Sequence, residues 1–348
     1  MKKITKVMVA ALGAAVLFGF SGCKEKKSEI KTTVIGYRKG SLCAIPIHLA
    51  VYNGFLEEEF AKIGQKVEFL QQEPGSTATL VGTGKIDGGF ELISSWLPAM
   101  ENGLPIVFAS GVHTGCTRYF VREDSGITSV EQLRGKIIGV YNLQDSSVVN
   151  IKRKLNSVGI KVGKADSEVT FQVFDMSALG IVLNNGTVDV IALHEPAATK
   201  VQKEFGFREI LNTGTDPKLK DDYCCQIYVT EDFLEKNPEG VKAYIRAIGK
   251  ASAFVQACPE EAAEIQLAND CTTGDLAENV EILKTLDYTP SYEKGKKTFI
   301  DAINELKEIG DLKESTDVEA LLKRGYVKLD GLPEGYRYNK ETKEFIEF

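Results

Sequence analysis

The sequence predicts an α/β protein of two lobes, each a mostly parallel sheet flanked by helices. Three observations carry that expectation. Short β-branched runs alternate with helix-length segments along most of the chain. The 348-residue length exceeds one comfortable hydrophobic core. A short pattern also occurs once in each half: Gly84-Lys85-Ile86-Asp87 and Gly186-Thr187-Val188-Asp189. In both, a glycine ends a helix and an apolar–Asp pair starts a strand.

In chain order, residues 1–22 carry Lys2, Lys3 and Lys6 ahead of an apolar run over residues 7–20. That run is too short to span a membrane and suits a signal-peptide core. Phe20-Ser21-Gly22-Cys23 follows and resembles a bacterial lipobox, in which the cysteine is lipidated and becomes the first mature residue. Residues 23–30 then read as a charged tether.

Residues 33–37 form a strand that leads through Arg38-Lys39-Gly40-Ser41 to a helix carrying Ile47, Leu49, Ala50 and Val51. Residues 66–70 form the next strand, Glu73-Pro74-Gly75-Ser76-Thr77 opens a helix, and residues 88–92 form a third strand. Ser94 or Ser95 caps the following helix, and residues 105–109 form a fourth strand. The second lobe repeats the plan, with strands over residues 118–121, 137–141, 169–174 and 190–193 and a helix over 176–183. Residues 133–158 are its centre. A buried strand feeds a polar loop, and Val148, Ile151 and Leu155 recur at helical spacing behind Asp145 or Ser146 as N-cap. The free N–H groups of that helix start can grip a polar or anionic ligand group.

Residues 223–229 return as a strand, after which helices dominate. Asn237 as N-cap and Pro238 at the first position begin one that runs to about Ala257. These segments complete the first lobe, so the chain crosses twice, near residues 111–118 and 215–223. The expected organisation is a signal peptide over 1–22 and a lipid-anchored tether over 23–30. Lobe 1 takes residues 31–113 and 223–348, and lobe 2 takes residues 114–222.

Composition narrows the function classes. The formal net charge is −7, and loss of the three signal lysines leaves about −10 for the mature part. An acidic balance without a basic stripe argues against nucleic acid as partner. Seven cysteines become six once Cys23 is acylated, and their spacing matches no disulfide framework.

The motifs together point further. A lipobox precedes Ile35-Gly36-Tyr37-Arg38-Lys39-Gly40-Ser41-Leu42 and Gly54-Phe55-Leu56-Glu57. Gly84-Lys85-Ile86-Asp87, residues 129–136, Gly186-Thr187-Val188-Asp189 and His194-Glu195-Pro196 follow in order. The series resembles the solute-binding proteins of ATP-driven importers for nitrate, taurine and alkanesulfonates, a group that includes binders of thiamine-pyrimidine precursors. The resemblance implies a periplasmic-binding-protein fold of the second type, closing on its ligand as a hinged clamp. It implies an extracytoplasmic monomer, held to the membrane by Cys23, that hands a small polar nutrient of the alkanesulfonate or taurine kind to a permease and its ATPase.

Carried over by position, the resemblance has the ligand meet Lys39, Gly40, Ser41 and Leu42, then Gly75 and Ser76, then Glu91. In the second lobe it would meet Asp145, Ser146 and Ser147, then Glu195 and Pro196. His113, in the first crossing, joins these candidates. Two departures, the crossing Gly111-Val112-His113-Thr114-Gly115-Cys116 and Asp145 itself, put a sulfonate ligand in question.

No catalytic residue, cofactor or metal is expected, and the chain is read as a binding protein and not an enzyme. Ile86 follows Gly84-Lys85 where a nucleotide loop needs Ser or Thr. His113, Cys116 and His194 could ligate zinc but lack a signalled fourth ligand. Cys116 with a histidine base carries no hydrolase signature, and Glu91 with Glu195 reads more simply as acceptors for ligand N–H groups than as an acid–base pair. The alternatives are a binder of a thiamine-pyrimidine-like heterocycle, an enzyme acting on a pyrimidine or pyridoxal-like substrate on the same fold, and a sensor or adhesion domain.

Overall fold

The computed structural model describes residues 32–73 and 75–348. The expected signal peptide, Cys23 and the tether lie outside them. The strands are β1 (Thr33–Tyr37), β2 (Val67–Gln71), β3 (Gly88–Leu92), β4 (Ile106–Thr114), β5 (Thr117–Val121) and β6 (Ile137–Val140). After them come β7 (Thr170–Val173), β8 (Val190–His194), β9 (Arg208–Asn212), β10 (Tyr223–Thr230), β11 (Tyr336–Asn339) and β12 (Glu344–Glu347). Two five-stranded sheets result, in the orders β2-β1-β3-β10-β4 and β7-β6-β8-β5-β9, with a separate β11-β12 hairpin. The expected two-sheet α/β architecture is present.

Each large sheet has one antiparallel strand, β10 in the first and β5 in the second. These are the strands that receive the chain after it passes between the sheets. The other strands run toward the junction, so a strand that starts there must run the opposite way. The carboxyl ends of the parallel strands of both sheets are thereby left facing one cleft.

The repeated Gly-x-apolar-Asp pattern has a structural job. Val34 N donates to Asp87 Oδ2 at 2.8 Å, and Asp87 N donates to Val34 O at 2.8 Å. In the second sheet Ile137 N donates to Asp189 Oδ2 and Asp189 N to Ile137 O, both at 2.9 Å. Each aspartate thus locks the start of its own strand, β3 or β8, to the start of the neighbouring parallel strand, β1 or β6.

Local sequence sets several helix starts. Asp145 caps Ser146–Ser157, accepting from Ser147 N at 2.8 Å, and Asn237 caps Pro238–Ala257, accepting from Gly240 N at 3.0 Å. The helix expected to begin at Ser94 or Ser95 instead spans Ile93–Glu101. β3 runs straight into it, with no loop in which a serine could cap. Strand β9, helix Ala197–Phe205 and the β11-β12 hairpin carry no expectation from the sequence. β9 is five residues of mixed polarity, too irregular in pattern to read as a strand from the sequence.

One core packs β1 and β10 against helices Ile45–Tyr52, Phe55–Lys62 and Pro238–Ala257, through Ile35, Leu56, Phe60, Ile227 and Tyr244. A second is continuous between the sheets, joining Phe108, Tyr228, Phe299 and Ile303 to Ile138, Val148 and Ile151. The two crossings lie against each other. Thr117 N donates to Thr213 Oγ1 and Thr213 N to Thr117 O, both at 3.0 Å. Gly115 has φ +44°, and a Cβ there would come 2.2 Å from Gly214 Cα.

Both the left-handed backbone and the close approach require glycine at position 115. Gly115→Ala is therefore expected to cost about 2 kcal/mol or more. Gly214→Ala, whose methyl would meet nothing nearer than Asn212 Oδ1 at 3.3 Å, is expected to cost far less. Thermal unfolding of the two variants checks this, and equal losses would contradict the close-contact account.

Candidate functional site

Between the sheets lies a cavity of about 190 Å³. β1 and β3 bring Tyr37, Arg38, Phe90 and Glu91 to it from one side. β6 and β8, with the residues just after them, bring Tyr141, Asp145, His194 and Glu195 from the other. This is where open α/β sheets place ligands, beyond the carboxyl ends of their strands.

The polar groups of the wall are paired with one another. Arg38 Nη2 lies 2.5 Å from Glu91 Oε2, and Thr77 donates to Glu91 Oε1 at 2.9 Å. Glu91 is 2% exposed, so its charge depends on that guanidinium. Opposite, Asp145 accepts from Ser147 N at 2.8 Å, Tyr141 Oη at 2.5 Å and His194 Nε2 at 2.8 Å. Thr117 Oγ1 lies 3.1 Å from His194 Nδ1. Glu195 accepts from Arg118 at 3.1 Å and from Thr199 Oγ1 at 3.0 Å. Lys39 donates to Asn269 O at 2.7 Å, with its ammonium 5.5 Å from the Tyr52 ring centroid.

The electrostatics follow from this pairing. Burial works against an imidazolium at His194, but the adjacent Asp145 carboxylate outweighs it and pushes the group up to about 10. Burial alone would raise Asp145, yet the His194 charge and hydrogen bonds from His194, Ser147 and Tyr141 hold it well below the ordinary carboxylate value. The wall is therefore charged but balanced, and interleaved with aromatic rings.

Of the residues expected from the sequence, Lys39, Gly40, Ser41, Glu91, Asp145, Glu195 and Pro196 line this cavity. Leu42 is fully buried in the core. Gly75 is exposed, and Ser76 donates to Glu73 O at 2.7 Å; neither lines the cavity. Ser146 borders a separate water-sized space of about 20 Å³, and Ser147 is buried behind its own carbonyl bond to Tyr119 Oη. The helix start that was expected to grip an anion is occupied by the Asp145 carboxylate. His113 is buried behind the wall, stacked on Phe90 at 6.2 Å. Tyr37, Arg38, Phe90 and Tyr141 also line the cavity without having been expected there, and so does His194, weighed from the sequence only as a metal ligand or a base for Cys116. For Tyr37, Arg38, Tyr141 and His194 the signal was position, since each sits at or just beyond the end of a parallel strand, whereas Phe90 lies in the middle of β3.

Residues 44–262 match the family described as NMT1/THI5 like. This chain belongs to the NMT1/THI5-like family. The match agrees with the resemblance read from the motifs, including its thiamine-pyrimidine branch. Among relatives, the 4-amino-5-hydroxymethyl-2-methylpyrimidine phosphate synthase of Candida albicans is 27% identical over 63% of this chain and 66% of its own. The enzyme of the same name from Schizosaccharomyces pombe is 25% identical over 60% of each chain. The chain thus spans slightly less than two thirds of the length of these relatives. Among solved structures, the periplasmic nitrate-binding protein NrtA from Synechocystis superposes with TM-score 0.69 at 16% identity, covering 86% of both chains. The aliphatic sulphonate binding protein SsuA from Escherichia coli gives TM-score 0.69 at 18% identity, covering 88% of this chain and 96% of its own. These two likenesses concern the fold, which is that of periplasmic binding proteins.

Fold and family together support a substrate-binding role. The expectation that the chain is not an enzyme is corrected by the same relatives, which carry the name of a synthase. The motif resemblance put transport first and an enzyme acting on a pyrimidine-like substrate only among the alternatives, because motifs that follow the fold do not separate binding from catalysis.

The Asp145–His194 pair makes stability depend on pH. Unperturbed, the two groups titrate at 3.8 and 6.5. The raised imidazolium contributes fully below pH 6.5, and its contribution is lost as pH climbs toward 10. The depressed carboxylate contributes fully above pH 3.8, and its contribution is lost as pH falls below that. The gap in Tm between wild type and Asp145→Asn should be widest between pH 3.8 and 6.5 and should narrow toward pH 10. Thermal unfolding across that range checks it; a gap independent of pH would contradict the charged pairing.

Proposed function

We propose that this protein is the extracytoplasmic, membrane-anchored substrate-binding component of an ATP-driven importer, and that its cavity takes a flat, polar N-heterocycle of the aminopyrimidine kind. One observation carries the ligand reading. The cationic side chains lining the cavity, Arg38, Lys39 and His194, already have partners in Glu91, Asn269 O and Asp145. A bare sulfonate or nitrate would have to compete with buried carboxylates for those cations, and like charges at close range cost several kcal/mol at an effective dielectric of about 20. A neutral ring with amino and ring-nitrogen groups meets no such conflict. It can stack on Tyr37, Phe90 or Tyr141 and donate to the remaining lone pairs of Glu91 and Asp145. The pyrimidine named for the relatives is of that chemistry, whereas an alkanesulfonate or taurine is favoured only by the first-loop resemblance.

A second reading is an enzyme that acts on the same heterocycle. The synthase names of the relatives favour it, as does a group of cysteines and a histidine against the cavity. Conversion of the pyrimidine by the isolated protein would select this reading, and binding without conversion the importer.

Calorimetry with 4-amino-5-hydroxymethyl-2-methylpyrimidine, taurine, an alkanesulfonate and nitrate tests the ligand. The pyrimidine is expected to bind, and Glu91→Gln to weaken it about tenfold or more, the order of a charged hydrogen bond. The same substitution frees Arg38 and should strengthen the sulfonate. Wild-type binding of taurine, alkanesulfonate or nitrate but not the pyrimidine would overturn the assignment.

A further inference from the structure

Cys43, His113 and Cys225 lie far apart in sequence, yet their ligating atoms all fall within 4.8 Å of one another, and all three side chains are buried. The fold brings them together. Cys43 precedes helix Ile45–Tyr52, while His113 on β4 and Cys225 on β10 are register partners across the antiparallel pair. Among the described residues no cysteine is in a disulfide.

The histidine supplies the independent observation. Its Nδ1 lies 3.2 Å from Thr114 O. A carbonyl can only accept, so Nδ1 carries a proton, and in the neutral ring Nε2 carries the lone pair. Nε2 is buried and has no hydrogen-bond partner. The ring is held by Phe90 at 6.2 Å and Tyr288 at 5.4 Å. A ring fixed by a backbone carbonyl on one nitrogen, with the other nitrogen bare, is how a metal-bound histidine is oriented. Ser41 Oγ, 2.8 Å from Cys43 Sγ, can donate to a thiolate there.

We propose that Cys43, His113 and Cys225 bind a single thiophilic cation, Zn²⁺ in the first instance, with its remaining coordination position facing the ligand cavity. Two thiolates and one neutral imidazole suit zinc, and they balance its charge, which a buried site requires. Zinc bonds of about 2.0–2.3 Å put donor atoms up to roughly 3.8 Å apart, so side-chain rotations of about an ångström close the set. Cys43 and Cys225 line the cavity and His113 does not. The ion would therefore sit at the cavity wall, able to take a nitrogen, oxygen or sulfur donor from whatever is bound. The proposal stands whichever small molecule the cavity accepts.

The test uses the reduced full chain loaded with Zn²⁺ or Co²⁺ under exclusion of oxygen. One tightly held ion per chain is expected, with a thiolate-to-Co²⁺ charge-transfer band. Cys225→Ser and His113→Gln should each weaken uptake at least tenfold, while Cys258→Ser, outside the cluster, should not. X-ray absorption of the zinc-loaded wild type needs no variant to fold and should read two sulfurs and one imidazole nitrogen. No uptake by the reduced wild type, uptake undiminished in both ligand variants, or an oxygen-only shell would overturn the site. A third sulfur, drawn from Cys116, would overturn the open position. Heterocycle binding is measured separately by calorimetry, so failure of the ligand assignment and failure of the metal site give different results.

Discussion

Three donors converge on the Asp145 carboxylate: the Ser147 amide, the Tyr141 hydroxyl and the His194 imidazolium. Through them one side chain caps helix Ser146–Ser157 and fixes the ring at the end of β6. It also holds a positive charge at the end of β8. Asp145 is 4% exposed, so the alternatives to this pairing are costly. An unpaired carboxylate there would lose several kcal/mol of solvation. The second sheet's wall of the cavity is arranged around that requirement. The first sheet's wall meets the same problem with Glu91, which takes Arg38 and Thr77 as partners.

Such a wall decides what the cavity can bind. Its charges are present but already used, so a ligand gains little by bringing a full charge and much by bringing a flat ring with polar edges. A site for a free anion would keep a cation or a helix start unfilled. Here the helix start is filled by Asp145, and the cations answer to protein acceptors. On the proposed reading, fold likeness to nitrate and sulphonate binders coexists with a different chemical preference, because the fold supplies the strand ends and the side chains there supply the selectivity.

Much of the architecture was legible because it rests on local rules. Strand–helix alternation, the Asn237-Pro238 helix start and the Asp145 cap are each written in a few adjacent residues. The paired aspartates Asp87 and Asp189 were visible as a pattern, but their bond to a neighbouring strand needs the sheet order. The site was legible where strand ends and the loops after them carry it, at Lys39 to Ser41, Glu91, Asp145 and Glu195. It was illegible wherever partners come from distant strands. Nothing in the sequence says that Arg38 neutralises Glu91. Nor does it say that Cys225 lies beside His113, since β4 and β10 become neighbours only because the chain leaves the first sheet and returns to it. Ser146 and Ser147 read as ligand groups because serines at a helix start often are, yet the first turn is tucked behind Asp145.

The central claim is that the cavity holds a polar heterocycle against balanced charges. A crystal structure of the protein grown with 4-amino-5-hydroxymethyl-2-methylpyrimidine tests it most directly. The account expects the ring inside the cavity, stacked on at least one of Tyr37, Phe90 and Tyr141, with its amino group donating to Glu91 or Asp145 while the Arg38–Glu91 and Asp145–His194 pairs stay intact. A ring found elsewhere, or an anion seated in the cavity with those pairs broken, would contradict it.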